Sequence, residues 1–81
     1  MRSLHSRGYT KFVAVLVEAR SRVGITQQEL AQRLGRPQSF VSKYERRERR
    51  IDVPEFIAIA QAMGLAPKAL LGKVETALKL K

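Results

Sequence analysis

Cysteine and tryptophan are absent from this 81-residue chain, and there is a single histidine, His5. Without thiols the chain forms no disulfide framework and no thiolate zinc site. His5 has no cysteine or acidic residue near it in sequence, so it reads as a solvated side chain rather than a metal ligand or a general base. Acidic residues are scarce too, seven in all, and they are scattered. No acid–base pair, activated nucleophile or metal cluster emerges, so the expectation is a non-enzyme that holds no cofactor and no metal. Long apolar runs are also lacking. The longest, Phe12 to Val17, is far below the roughly 20 residues that cross a bilayer, and no apolar stretch follows the basic start as a secretory signal requires. A cytoplasmic protein with no membrane partner is expected. Aromatics number only five, too few for the stacking platforms on which single-stranded RNA readers lay their bases.

What the chain has instead is positive charge. Sixteen Lys and Arg give a formal charge of +9 and a pI near 10.9, which favours a polyanionic partner. A merely solubilising surface would give the same totals, but the charge is clustered. Residues 33–50 hold seven basic side chains and two acidic ones. The length allows one domain, and one this small buries only about 60–65% of its unfolded surface. Residues 1–8, with Arg2, His5 and Arg7, read as a flexible basic arm.

The stretch ITQQELAQRLGRPQSFVSKYE, Ile25 to Glu45, organises the rest. Thr26 with Glu29 three residues on makes a capping box that starts a helix. Leu30, Ala31 and Leu34 form its apolar stripe. Gly35 ends it in a tight turn that calls for positive φ. Pro37 opens a second helix, where its fixed φ and missing N–H are tolerated. Val41 and Tyr44 face inward on that helix. Gln38, Ser39, Ser42 and Lys43 then point outward. Glutamine pairs bidentately with adenine, lysine contacts guanine, and serine suits either, so this face fits base-pair edges in a major groove. Phe40 falls at helical spacing from Tyr44 and reads as packing rather than as a thymine contact.

These residues resemble the Cro and phage-repressor (Xre) type of DNA-binding domain. The family pattern is roughly T-Q-x-x-L-A-x-x-x-G, a short turn, then Q/S-x-x-(V/I)-S-x-x-E, and the likeness runs from about Val15 to Leu71. The resemblance implies an all-α, five-helix lambda-repressor-like fold, with a helix-turn-helix DNA-binding domain over residues 9–71. It also implies double-stranded DNA as the partner. By the same resemblance, Arg20 near the inner face of the first helix pairs with Glu45 in a partly buried ion pair, and Gln27 bonds a phosphate at the start of its helix beside Thr26. A helix N-terminus favours anions in any case.

The run Arg46 to Arg50 departs from the family, which usually has E-x-G where this chain has Glu45-Arg46-Arg47. Either the helix runs on by a turn, or Arg47 takes a left-handed conformation at a cost of about 1–2 kcal/mol. Arg36, Arg46, Arg47, Arg49 and Arg50 are placed for phosphates flanking the reading helix; the competing reading is a solvated charge run.

The first helix spans Tyr9 to Val23, with Phe12, Val13, Leu16, Ala19 and Val23 inward and Gly24 at its end. Asp52-Val53-Pro54-Glu55 starts a fourth helix whose inner face is Phe56, Ile59, Ala60 and Met63. A fifth opens at Ala66-Pro67 and carries Leu70, Leu71, Val74, Ala77 and Leu78. These five are more apolar side chains than one small core takes up, so the stripe they form, within Leu70 to Leu80, is the candidate homodimer interface, with residues 72–81 a C-terminal extension of the helix. Dimerisation suits the function: one short helix reads few base pairs, and a twofold pair reads an inverted repeat. The expected function is a transcriptional repressor. Antitoxin and restriction-controller regulators, the former with a toxin as protein partner, share the pattern. A basic module binding RNA, ribosomes or anionic membrane without sequence choice shares the charge but has no need of the Gln38, Ser39 and Lys43 face.

Overall fold

The computed structural model describes residues 6–79. Among them are five helices: α1 (Arg7–Val23), α2 (Gln27–Leu34), α3 (Gln38–Glu45), α4 (Val53–Ala62) and α5 (Pro67–Lys79). The local signals that start and stop them are chemical. The Thr26 hydroxyl accepts from the Glu29 N–H at 3.0 Å while the Glu29 carboxylate accepts from the Thr26 N–H at 2.8 Å. Asp52 and Glu55 repeat this reciprocal cap at the start of α4. At the end of α2, Gly35 has φ 68°, and the N–H groups of Gly35 and Arg36 return to the carbonyls of Gln32 and Ala31. This Schellman closure satisfies carbonyls that the helix leaves bare and turns the chain sharply.

α1 begins earlier than the apolar periodicity indicates. Ser6 is its N-cap, accepting from the Tyr9 N–H, so Arg7 and Gly8 belong to the helix and not to an arm. The rest of the expected arm, His5 included, lies outside the described residues. Tyr9 is buried in the first turn. Its ring packs on Phe12 at 5.6 Å and its hydroxyl donates to the Arg49 carbonyl. Val23, expected inward, is 37% exposed, because α1 ends there and Gly24 turns the chain away.

The core draws on every helix. Leu16, Leu30, Val41, Tyr44 and Ile59 are fully enclosed, with Phe56, Ala60 and Met63 of the α4 segment around them. α2 packs on α3 and α4, while α1 bridges α3 and α5. α5 corrects one expectation. Leu70 and Val74, expected at a dimer interface, are 2% and 4% exposed. They are consumed inside the chain's own core because α5 lies along α1. Ala77 is half-buried, while Leu71 and Leu78 stay exposed. The helix passes through residue 72 unbroken, so this segment is part of the same body as what precedes it. Among the described residues no single helix is long and apolar enough to cross a membrane.

Candidate nucleic-acid interface

α3 is anchored along one side. Val41 and Tyr44 are fully buried and Phe40 nearly so. The Phe40 ring meets Tyr44 edge-on at 5.5 Å, so it packs, as its spacing indicates. The opposite side carries Gln38, Ser39 and Lys43, all exposed. Two fully enclosed anchors on an eight-residue helix leave little freedom to roll, so the three outward side chains are held at fixed bearings. Ser42 is half-buried, and its hydroxyl donates to the Ser39 carbonyl at 3.3 Å. It is already engaged with its own helix, which sets it apart from the other three.

The far end of α3 is clamped to α1. The Arg20 guanidinium meets the Glu45 carboxylate with two parallel hydrogen bonds, 2.8 and 3.1 Å, and also donates to the Ile25 carbonyl at 2.9 Å. The side chains are 17% and 6% exposed. Bonding to Glu45 raises the Arg20 pKa above its usual value despite the opposing effect of burial. Gln27 joins the pair: its side-chain amide donates to Glu45 at 2.7 Å. The phosphate role expected for this side chain therefore needs its second amide hydrogen or its backbone N–H, since the first serves the ion pair.

The arginines around α3 are not a plain solvated run. Arg46 pairs with Glu48 at the surface, 3.0 Å, and draws the Glu48 carboxyl below its usual range. Arg49 makes a two-pronged contact with Glu55, 3.0 and 2.9 Å, and Arg36 reaches the same carboxylate at 3.3 Å. Arg36 and Arg49 both lie over the Phe40 ring, 4.3 and 4.9 Å from its centre, and Arg50 lies over Tyr9 at 4.6 Å. Arg33 donates to the Ala62 carbonyl. Glu55, Phe40 and Tyr9 were not among the expected site residues. The cap spacing marks Glu55 as a helix starter, but nothing local marks it as the partner of arginines 6 and 19 residues away.

A family model of helix-turn-helix domains matches residues 16–70. A solved structure, an XRE-family like protein from Pseudomonas syringae pv. tomato str. DC3000, is 56% identical, with 89% of this chain and 88% of that chain covered and a TM-score of 0.83. The chain belongs to the Xre (Cro/phage-repressor) family of helix-turn-helix DNA-binding domains. No curated protein matches it. Membership makes this Xre-type domain a DNA-binding regulator and gives its α2–α3 unit the role of the helix-turn-helix.

The departure of this Xre-type domain from the family glycine has a definite structural outcome. The helix does not run on. Arg47 takes φ 62°, the one non-glycine residue at positive φ among those described. Its N–H bonds the Tyr44 carbonyl at 3.0 Å and the Glu48 N–H bonds the Lys43 carbonyl at 2.8 Å. This is the same closure that Gly35 makes after α2, here with an arginine in the glycine position. An L-residue there crowds its Cβ against the backbone. Arg47→Gly is expected to raise stability by about 1 kcal/mol, the relief of strain less the larger backbone entropy that glycine brings to the unfolded chain. Urea unfolding measures it, and a destabilised Arg47→Gly would show that arginine contacts outweigh the backbone term.

Tyr44 brings a second local cost. Its hydroxyl is buried with no hydrogen-bond partner among the described residues, and burial first, then the nearby Glu45 charge, pushes its pKa up. Removing an unsatisfied buried hydroxyl recovers the desolvation it suffers. Tyr44→Phe is therefore expected to match or exceed the wild type in stability, by up to about 1 kcal/mol. A clear loss in thermal unfolding would reveal a hydrogen bond made by that oxygen in solution.

Proposed function

We propose that this domain is a sequence-specific transcriptional regulator, a repressor that binds an inverted-repeat operator as a homodimer with α3 in the major groove. The observation that carries the reading is the face of Gln38, Ser39 and Lys43, exposed over the enclosed Val41 and Tyr44. Eight helical residues span about 12 Å, close to the width of a B-form major groove. Gln38, Ser39 and Lys43 then read bases, with Ser42 a weaker contributor. Thr26 and Gln27 at the start of α2, with Arg36, Arg46, Arg47, Arg49 and Arg50 around α3, take the flanking phosphates and set register without reading sequence. A dimer seated on a promoter excludes other proteins from that stretch of duplex, which is the simplest route to repression. Selection from random duplex DNA at physiological salt tests the reading. An enriched inverted repeat is expected, with half-sites about one helical turn apart; retention without any consensus would reduce the function to charge-driven binding.

The dimer face we favour differs from the stripe of α5 expected from sequence. Val53, Ile57 and Leu71 are 70%, 39% and 55% exposed and line one apolar hollow floored by Phe12 and Phe56. Asp52 and Lys68 are the charged residues of that hollow, one of each sign. On a strongly cationic molecule a neutral apolar patch is where two copies meet with least repulsion, and opposite charges on one patch suit a twofold contact. Leu71→Glu is expected to leave the fold intact and to give a monomer in sedimentation at tens of micromolar, with weaker binding to the two-half-site duplex. A wild type that sediments as a monomer with and without DNA would refute the dimer.

A further inference from the structure

Glu55 lies on α4, outside the helix-turn-helix, yet it organises two cations that flank α3. Arg36 comes from the turn before α3 and Arg49 from the loop after it. Their guanidiniums converge on the one carboxylate, at 3.3 Å from Arg36 and at 2.9 and 3.0 Å from Arg49. The Glu55 side chain is only 14% exposed, whereas those of Arg36 and Arg49 remain 43% and 40% exposed. The acid is thus tucked behind the arginines while they face outward. Bonding to Arg49 first, then to the Asp52 N–H and Arg36, holds the Glu55 carboxyl at about 2, so it is ionised throughout the physiological range. The Phe40 ring gives both guanidiniums a second surface, and Arg49 is tied further to the Arg50 carbonyl at 2.8 Å.

A guanidinium carries five N–H donors in a fixed fork; Arg36 makes one hydrogen bond here and Arg49 three. The rest stay available to a phosphate. Long arginine side chains lose much rotamer freedom when they bind, and ordering them beforehand moves that loss out of the binding step. We infer that Glu55 is a positioning residue for DNA binding, which sets Arg36 and Arg49 in place on Phe40 for backbone phosphates flanking the reading helix. The inference rests on the proposed DNA-binding reading of those two arginines. It makes a counterintuitive demand. On simple charge grounds, removing an acid beside two phosphate-binding cations should tighten binding; a positioning role demands that it weaken.

Two variants separate the ideas. Glu55→Gln removes the charge but keeps a side-chain oxygen for the capping box, where Gln is an accepted residue. Glu55→Asp keeps the charge but shortens the reach. Each variant is first checked by circular dichroism and thermal unfolding, then titrated with the selected duplex across a range of salt concentrations. Both are expected to bind roughly five- to tenfold more weakly, as ordering is lost at two side chains. The salt slope should stay unchanged, because the number of phosphates contacted is the same. Tighter binding by Glu55→Gln, or wild-type affinity in Glu55→Asp, would overturn the positioning role. Arg36→Ala and Arg49→Ala supply the separate check. Each should flatten the slope by about one unit, and if neither does, the phosphate reading itself fails whatever Glu55 does. Should Glu55→Gln unfold, Glu55→Asp decides alone, since its charge equals that of the wild type.

Discussion

Arg20→Ala should destabilise the domain by about 3–5 kcal/mol, because it strands the Glu45 carboxylate in a place where water reaches it poorly. Glu45 is 6% exposed on its side chain, and its remaining partner would be the single Gln27 amide. A domain of this size has a total stability of about 4–12 kcal/mol, so the loss is a large share. Arg20→Lys should recover only part of it, since an ammonium lacks the planar fork that meets both carboxylate oxygens and the Ile25 carbonyl together. The consequence reaches function through geometry. Glu45 is the last residue of α3, and with the clamp gone that end of the helix is released from α1. A double-mutant cycle of Arg20→Ala and Glu45→Ala in urea isolates the pair. A coupling near zero would mean that the two bonds contribute nothing net.

Gln38→Ala and Lys43→Ala should each lower the preference for the selected site over scrambled duplex by roughly 1–3 kcal/mol, about 5- to 150-fold. Their effects on non-specific binding should differ from this and from each other. Gln38→Ala removes no charge, so its affinity for scrambled DNA should be unchanged. Lys43→Ala removes one, so its non-specific binding should fall somewhat and its salt dependence should ease. In a dimer each substitution acts twice, once in each half-site. Repeating the selection with each variant shows which base position is relaxed, and an unchanged consensus in both would remove these residues from the reading face.

Much of this architecture is written in short-range chemistry. Thr26 with Glu29, Gly35, and Asp52 with Glu55 mark helix boundaries through contacts three to five residues long, so their signals lie within one short window of sequence. The outward face of α3 follows from them, since enclosing Val41 and Tyr44 sends Gln38, Ser39 and Lys43 the other way. What was not legible depends on distant partners. Periodicity shows that α5 carries a surplus of apolar residues, but not that Leu70 and Val74 are taken up by α1 while Leu71 is left beside Val53 and Ile57. Ser6 caps α1 without a local signal, because the residues after it, Arg7 and Gly8, continue no apolar periodicity. The arginine run could be read as phosphate-facing or solvated, and its internal bonds to Glu48, Glu55 and the Phe40 ring belong to neither description. Arg47 is the clearest case of a local rule leaving two outcomes open. The Tyr44 and Lys43 carbonyls, which needed donors, are met by the backbone N–H groups of Arg47 and Glu48.

The central claim is that α3 meets DNA through the major groove, with its outward residues at the edges of the bases. Methylation interference on the selected duplex tests it most directly, because dimethyl sulfate marks guanine on its major-groove nitrogen and adenine on its minor-groove nitrogen. The account predicts that guanine methylation within each half-site abolishes binding, and that Lys43→Ala loses sensitivity at one guanine per half-site. Binding indifferent to every guanine and blocked only by adenine methylation would place the protein in the other groove and contradict the account.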